Sequence, residues 1–119
     1  MTERLRSDDS GAVYVLMVLA IFVLMAMAAF AVDLGWIFLN KSRAQRAADA
    51  AALAGVTALP AEPTTAIDTA HEYAKLNGYD NDDPNIVVTP QPTADNELRV
   101  QIDDDIDTFF MKVFGIDTV

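Results

Sequence analysis

The sequence predicts an α+β fold in which one long N-terminal helix carries a small head. Residues 12–32 form an uncharged apolar run, and no helix breaker separates this run from the alanine-rich segment that follows. After Pro60 the pattern changes to an amphipathic helix, two strand patterns and a short apolar helix. A chain of 119 residues has room for one such anchor and one small domain.

The apolar run has the length of a membrane anchor, since roughly 20 apolar residues cross the hydrocarbon core of a bilayer. Tyr14 and Trp36 lie near its two ends, where aromatic side chains prefer the membrane interface. We therefore expect a transmembrane helix over residues 12–39. The short N-terminus and the strongly acidic C-terminal half favour a cytoplasmic N-terminus over residues 1–11. The lipid bilayer is then a partner, and the acidic C-terminal half lies outside the cytoplasmic membrane.

A secretory signal peptide is the alternative interpretation of the same run. Basic residues precede it, and Ala29-Phe30-Ala31 has the small-x-small form of a cleavage site, so cleavage would follow Ala31. The apolar run is about twice the usual length of the apolar region of a signal peptide, and helix-forming sequence continues beyond it. Both observations favour an uncleaved anchor.

Small residues near the end of the span are candidates for close helix contacts. Ala28, Ala31 and Gly35 share one helix face, and such spacings allow two helix backbones to approach each other. Asp33 lies among them and has two interpretations: an interfacial acid that reaches water and ends the span, or a contact with a partner helix or a basic group. A homo-oligomer through the small-residue faces is a further expectation.

Residues 40–59 form an alanine-rich stalk that continues the anchor helix. Nearly every residue from Lys41 to Ala54 is a strong helix former, and Pro60 ends the helix at or before Leu59. An alanine face buries little area, but it lets another element pack at short distance. A plain solvated helix is the alternative. The candidate packing residues of the stalk are Ala47, Ala48, Asp49, Ala51, Ala52 and Gly55.

Residues 60–119 are predicted to form a small acidic α+β head. The first element is a helix that is capped by Thr64 or Thr65 and ends at Asn77-Gly78. Two strands follow at Ile86–Thr89 and Leu98–Asp103, joined by a loop at Pro90–Asn96. The last element is a helix at Thr108–Phe114, which is capped by Asp105 or Asp107 and ends at Gly115. About 60 residues make a marginal core, so we expect the head to pack on the stalk. Ile116–Val119 resembles the start of another strand, either because a longer chain continues it or because a partner adds a strand here.

Charge and composition exclude several functions. The formal net charge is −10, and all of it belongs to residues 60–119, which argues against nucleic acid as a partner. With no cysteine and His71 as the single histidine, the chain cannot build a zinc cluster or a Ser/His or Cys/His site. We therefore expect no enzyme and no cofactor. Two acidic runs are weak calcium candidates that lack the spacing of an EF-hand loop: Asp80, Asp82, Asp83, Asp103, Asp104 and Asp105.

Three motifs together resemble the N-terminal region of TadG-like proteins of the Tad (tight adherence, Flp pilus) assembly system of bacteria and archaea. They are Gly11-Ala-Val, Ala31-Val-Asp-Leu-Gly35 and the alanine-rich Gln45–Gly55. Tyr73–Gly78 and Phe109–Ile116 also look like the continuation of that family. The resemblance implies an anchor in the cytoplasmic membrane, an outward-facing domain, other pilus components as partners and no catalytic residues. The long helix with its small head predicts a pilin-like lollipop shape.

The sequence departs from the related Tad pseudopilins at the processing site. Those proteins carry a glycine before the apolar run and a glutamate at the fifth position after it. Gly11 is present as a candidate processing site, but the fifth position is Leu16. The sequence therefore predicts a non-enzymatic, membrane-anchored component of a Tad/Flp-type pilus assembly or adhesion system that acts by helix packing. Two alternatives stay open: a minor pilin or pseudopilin in a surface filament, and an anchored binding module for a ligand or calcium.

Overall fold

The computed structural model describes residues 9–94 and 96–115, and it confirms the predicted fold class. The chain forms a long helix α1 (Asp9–Gly55), a 3-10 turn (Val56–Ala58), a helix α2 (Pro63–Leu76), strands β1 (Ile86–Ala94) and β2 (Glu97–Asp104), and a short 3-10 helix (Met111–Phe114). The strands form an antiparallel two-stranded sheet. The molecule is elongated, with extents of 98 × 24 × 20 Å.

Helix α1 passes without a break from the apolar run into the alanine-rich stalk. Its 47 residues correspond to about 70 Å at 1.5 Å per residue. Among the residues that the structure describes, one helix is long and apolar enough to cross a membrane, and it is this one. Its apolar side chains between Val13 and Val32 are exposed. Most of the first half of α1 is therefore left uncovered by the other residues that the structure describes.

Helix α2 begins differently from the prediction. Pro63 occupies its first turn, Glu62 is the N-cap residue, and no side chain caps the helix, so the predicted caps Thr64 and Thr65 are wrong. Proline is favoured at this position because its φ angle suits the helix and because the N–H that it lacks would be unpaired there. The Thr65 hydroxyl instead donates to the Glu62 carboxylate at 2.9 Å.

The other end of α2 follows the predicted glycine signal. Gly78 has a φ angle of 92°, its N–H donates to the Lys75 carbonyl, and the N–H of Tyr79 donates to the Ala74 carbonyl. These two bonds define a Schellman motif. They turn the Tyr79 ring back into the core, where it is buried beside Ala74.

Strand β1 extends to Ala94, so the predicted loop at Pro90–Asn96 is wrong over most of its length. The N–H of Val88 points away from β2 and donates to Oδ1 of Asn81 at 2.6 Å. Pro90 and Pro92 have the same parity as Val88, so their missing N–H groups fall on the outer edge of the sheet. Proline is tolerated there because it removes no hydrogen bond between the strands.

The core lies between the stalk and the head, as the sequence predicts. The stalk half of α1 contributes Ala47 and Ala51, and α2 contributes Ala70 and Ala74. The sheet covers them with Val88, and Leu98, Val100 and Ile102 pack around this cluster. A Cβ atom at Gly55 would lie 2.5 Å from the Ala66 carbonyl oxygen and 3.2 Å from the Ala70 Cβ. The small residues of the stalk therefore let α2 pack at very short distance.

Candidate functional site

Asp33 is the most unusual side chain of the molecule. It lies in α1 directly after the uncharged run, and it is completely buried within the chain, with an exposed fraction of 0%. The expectation of an interfacial acid that reaches water is therefore wrong. A buried carboxylate is unfavourable unless hydrogen bonds compensate the loss of water.

Residues 109–113, which we call the C-terminal segment, supply those hydrogen bonds. Oδ1 of Asp33 accepts the N–H of Phe109 at 3.0 Å, and Oδ2 accepts the N–H groups of Phe110 at 2.8 Å and Met111 at 2.6 Å. Three consecutive backbone donors converge on one carboxylate, which is an arrangement that suits an anion. Hydrogen bonds to an ionised group are short and strong. We call this contact the carboxylate clasp.

The carboxylate clasp replaces the predicted cap of the last helix. The segment forms a 3-10 helix at Met111–Phe114, and no local side chain caps it, so Asp105 and Asp107 are not its caps. Asp107 pairs instead with Lys112 at 3.0 Å. Gly115 ends the helix with a φ angle of 81°, as predicted. Residues 116–119, with their predicted strand, lie outside the described residues.

Aromatic packing supports the carboxylate clasp one turn further along α1. The rings of Trp36 and Phe109 meet edge to face, with 5.8 Å between their centroids and an angle of 65°. Such a pair adds about 0.5–1.5 kcal/mol to the burial of its area. Thr108 is also buried at this junction. Sequence reasoning missed Trp36 and the backbone of residues 109–111 as partners of the Asp33 region.

An apolar groove of about 600 Å³ lies beside the clasp. Helix α1 forms one wall over residues 23–34, and the C-terminal segment forms the other with Phe110, Met111 and Val113. Its lining is almost entirely apolar. The C-terminal segment therefore lies against the last part of the apolar run.

The predicted packing residues of α1 divide into two groups. In the stalk, Ala47, Ala48, Ala51 and Gly55 are buried, Ala52 is half-buried, and Asp49 is exposed and accepts a hydrogen bond from Gln45. In the membrane half, Ala28, Ala31 and Gly35 are exposed, and a Cβ atom at Gly35 would meet nothing within 4 Å. At 100° per residue, these three side chains lie on the side of the helix opposite Asp33. The head occupies the stalk face, and the membrane face is open.

The acidic runs do not converge on a cation site. Nζ of Lys75 lies 2.6 Å from Oδ2 of Asp80 and 3.4 Å from Oδ2 of Asp82, so these two carboxylates face a lysine. Within residues 9–94 and 96–115, no group of three or more His, Cys, Asp or Glu side chains could hold a metal ion. Asp83, Asp103, Asp104 and Asp105 therefore gain no structural support as calcium ligands.

The charges of the head still influence one another. The hydrogen bond with Asp80 raises the pKa of Lys75, and the same bond lowers the pKa of Asp80. Burial raises the pKa of Asp104, and the nearby carboxylates of Asp83 and Asp105 raise it further. Burial also raises the pKa of Tyr79. Carboxylates thus repel one another at the end of β2, whereas Lys75 attracts a carboxylate beside the end of α2.

The family comparison falls on the long helix. Residues 11–58 match the family of putative TadE/G-like Flp pilus-assembly proteins. The match confirms the resemblance drawn from the motifs around Gly11, Asp33 and Gly55. It supports the involvement of this chain in a Tad pilus system. No curated protein and no solved structure matches the chain.

The match spans both halves of α1, because it runs from the candidate processing site at Gly11 to the 3-10 turn that ends at Ala58. The apolar helix is compatible with a membrane anchor, and the family indicates other pilus components as partners. Cleavage after Gly11 or after Ala31 stays a prediction. Both positions lie inside the unbroken helix.

Proposed function

We propose that this TadE/G-like chain is a non-enzymatic component of a Tad/Flp pilus assembly system, anchored in the cytoplasmic membrane by the first half of α1. The N-terminus lies in the cytoplasm and the acidic head lies outside. The chain acts by helix packing with other pilus components. One observation supports this proposal most strongly: the helix matched by the family has a covered small-residue face in the stalk and an open one in the apolar half.

Ala28, Ala31 and Gly35 form the proposed contact face for a partner helix. Within a bilayer the hydrophobic effect does not drive helices together, so association depends on close packing and on small residues at the interface. Leucine at position 31 would hold a partner backbone away. Asp33 does not need to bind that partner, because its carboxylate is already used by the chain's own backbone.

Complementation of a deletion strain tests the proposal. Ala31→Leu is expected to lower the number of pili and the co-purification of other Tad components, while the amount of the protein in the membrane stays constant. Val18→Leu is the matched control, because it also enlarges an exposed side chain of the span but on another face of the helix. Equal pilus numbers in both strains would show that this face does not carry the function.

A minor pilin is the second candidate function, and the elongated shape with a bare apolar helix favours it. Sheared filaments and membranes should be separated and probed for the chain, and its N-terminus should be sequenced. A membrane-bound form that retains the residues before Gly11 supports the assembly component. A filament-borne form that begins at Ala12 supports the minor pilin instead.

A further inference from the structure

The C-terminal segment has the wrong surface for a part of the head that lies in water. Phe109 is 62% exposed, Phe110 is 46% exposed and Val113 is 81% exposed. Three large apolar side chains thus project from about five consecutive residues, next to a head whose surface is otherwise strongly acidic. Clustered exposed apolar residues of this kind mark a surface that contacts a membrane, another protein or a ligand.

The position of the C-terminal segment favours the membrane among these. The carboxylate clasp fixes the backbone of Phe109, Phe110 and Met111 to Asp33, directly after the uncharged run. From there the segment follows α1 toward its N-terminus, since Phe110 and Val113 line a groove with Val23, Met27 and Phe30. If these α1 residues lie in hydrocarbon, then Phe110 and Val113 lie there too. Their exposed surface is continuous with the exposed surface of the span.

Backbone N–H groups of the C-terminal segment are bonded within the chain, as a position in hydrocarbon requires. Lipid offers no hydrogen-bond partners, so non-helical backbone at membrane depth is tolerated where it is buried against protein and its polar groups are bonded there. Asp33 accepts the N–H groups of residues 109–111, and the N–H groups of Val113 and Gly115 donate to the carbonyls of Phe110 and Lys112. Five N–H groups are thus bonded within the chain.

The charged residues in and beside the segment, Lys112 and Asp107, are compatible with a position at the membrane interface. Lys112 is exposed and pairs with Asp107, and a lysine side chain is long enough to carry its ammonium group to the headgroup region. Trp36 packs against Phe109 at the same level, and tryptophan prefers this interface. Asp33 itself is bonded and buried, so it presents no unpaired charge to lipid.

We propose that Phe109–Val113 is a second membrane element, which inserts beside α1 into the outer leaflet and is held there by the Asp33 carboxylate. The acyl chains of the lipid cover Phe110 and Val113 and fill the groove. The head is then attached to the bilayer at two points, the helix and this segment, and it cannot tilt freely on the stalk. This inference rests on the membrane anchoring stated under the proposed function.

The chain has no cysteine, so single cysteines can be labelled without background. Val113→Cys is labelled with an environment-sensitive fluorophore in the full-length protein, which is reconstituted into phosphatidylcholine vesicles. Leu24→Cys in the span and Leu76→Cys in the head are matched controls, because both replace an exposed leucine. Quenching is measured with lipids that carry a nitroxide on the acyl chain and with iodide in the water.

The expected result is quenching by the nitroxide lipid at positions 113 and 24, and quenching by iodide at position 76. If position 113 behaves like position 76 while position 24 is quenched by lipid, the insertion is refuted and the anchor stands. If position 24 also behaves like position 76, the proposed anchoring itself is refuted. Protection of position 113 from both quenchers would mean that protein covers the groove, and this would also overturn the proposal.

The role of the carboxylate is tested by Asp33→Asn in the same labelled proteins. The amide lacks the negative charge of the carboxylate that binds three N–H groups, so iodide quenching at position 113 should rise several-fold. Quenching at position 24 should not change. Unchanged lipid quenching at position 113 in Asp33→Asn would overturn the holding role of Asp33.

Discussion

Both halves of α1 have a helix face of small residues, which is buried in the stalk and exposed in the apolar half. In the stalk, Ala47, Ala51 and Gly55 are buried under the chain's own head. In the apolar half, Ala31 and Gly35 have the same small size and are exposed. Small-residue spacing therefore predicts that another element can approach closely. It does not predict whether that element belongs to the same chain.

The largest expected effect comes from adding a methyl group at Gly55, in the packed stalk. Gly55→Ala places a methyl group against the Ala66 carbonyl and the Leu98 side chain, so α2 and the sheet must move away. Overpacking of this kind costs about 1–3 kcal/mol, of which the better helix propensity of alanine recovers up to about 1 kcal/mol. Thermal unfolding of the full chain in detergent should show a lower melting temperature.

Gly35→Ala is the matched control, because its new methyl group meets no atom of the chain. The same propensity gain should leave its melting temperature equal to that of the parent or slightly higher. Equal destabilisation by both substitutions would break the comparison between the halves of α1. It would mean that the stalk face is not more tightly packed than the membrane face.

At the boundary between the halves we expect an effect that is confined to one segment and is therefore smaller in the global unfolding of the chain. Asp33→Asn weakens three bonds to a charged acceptor, each worth about 1.5–3 kcal/mol, although the losses are not additive. Hydrogen exchange of the amides of residues 109–111 should accelerate at least tenfold, which corresponds to about 1.4 kcal/mol. Amides of the core, such as that of Val88, should exchange as before.

The control for this substitution is Asp49→Asn, which changes an exposed carboxylate that accepts one bond from Gln45. Its effect on residues 109–111 should be nil. If slow exchange at these amides survives Asp33→Asn, the C-terminal segment is held by Trp36 and Phe109 rather than by the carboxylate. An aromatic contact, rather than the Asp33 carboxylate, would then hold the C-terminal segment at the boundary of the two halves.

The smallest expected effect is a pH dependence confined to the head. Because burial raises the pKa of Asp104 in the folded chain, its ionised form disfavours folding. This destabilisation is present above the folded pKa and disappears as the pH falls below the ordinary value of 3.8. Asp104→Asn should therefore melt at a higher temperature than the parent near neutral pH, and the difference should vanish at low pH.

The pair of Lys75 and Asp80 has the opposite sign and serves as the comparison. Its lowered carboxyl pKa contributes stability above the ordinary value of 3.8, and this contribution is lost as the pH falls through the folded pKa. Asp80→Asn should thus melt at a slightly lower temperature near neutral pH. A melting difference for Asp104→Asn that grows on acidification would contradict the assignment.

Elements that depend on local patterns could be predicted from the sequence. The unbroken α1, the end of α2 at Gly78 and the alternation of Leu98, Val100 and Ile102 all depend on neighbours within a few residues. The packing of the head on the alanine face followed from the small core of the head. The extension of β1 does not follow from the sequence pattern, because proline ordinarily interrupts a strand, whereas Pro90 and Pro92 fall on the outer edge.

The partner of Asp33 could not be predicted in the same way. The donors of the clasp lie 76–78 residues further along the chain, and they are backbone N–H groups that carry no residue-specific signal. The sequence did mark Asp33 as an unusual acid at the end of the span, with a contact to a partner as one of two interpretations. A search for an apolar segment with unpaired helix-start N–H groups, such as Phe109–Met111, could have suggested it.

The outer edge of β1 has a consequence for crowded membranes. Pro90 and Pro92 have no N–H to offer, and the N–H of Val88 is already bonded to Asn81. Heads concentrated side by side therefore cannot polymerise along this edge into a continuous intermolecular sheet. The prolines of this edge therefore protect neighbouring heads against edge-to-edge aggregation in the plane of the membrane.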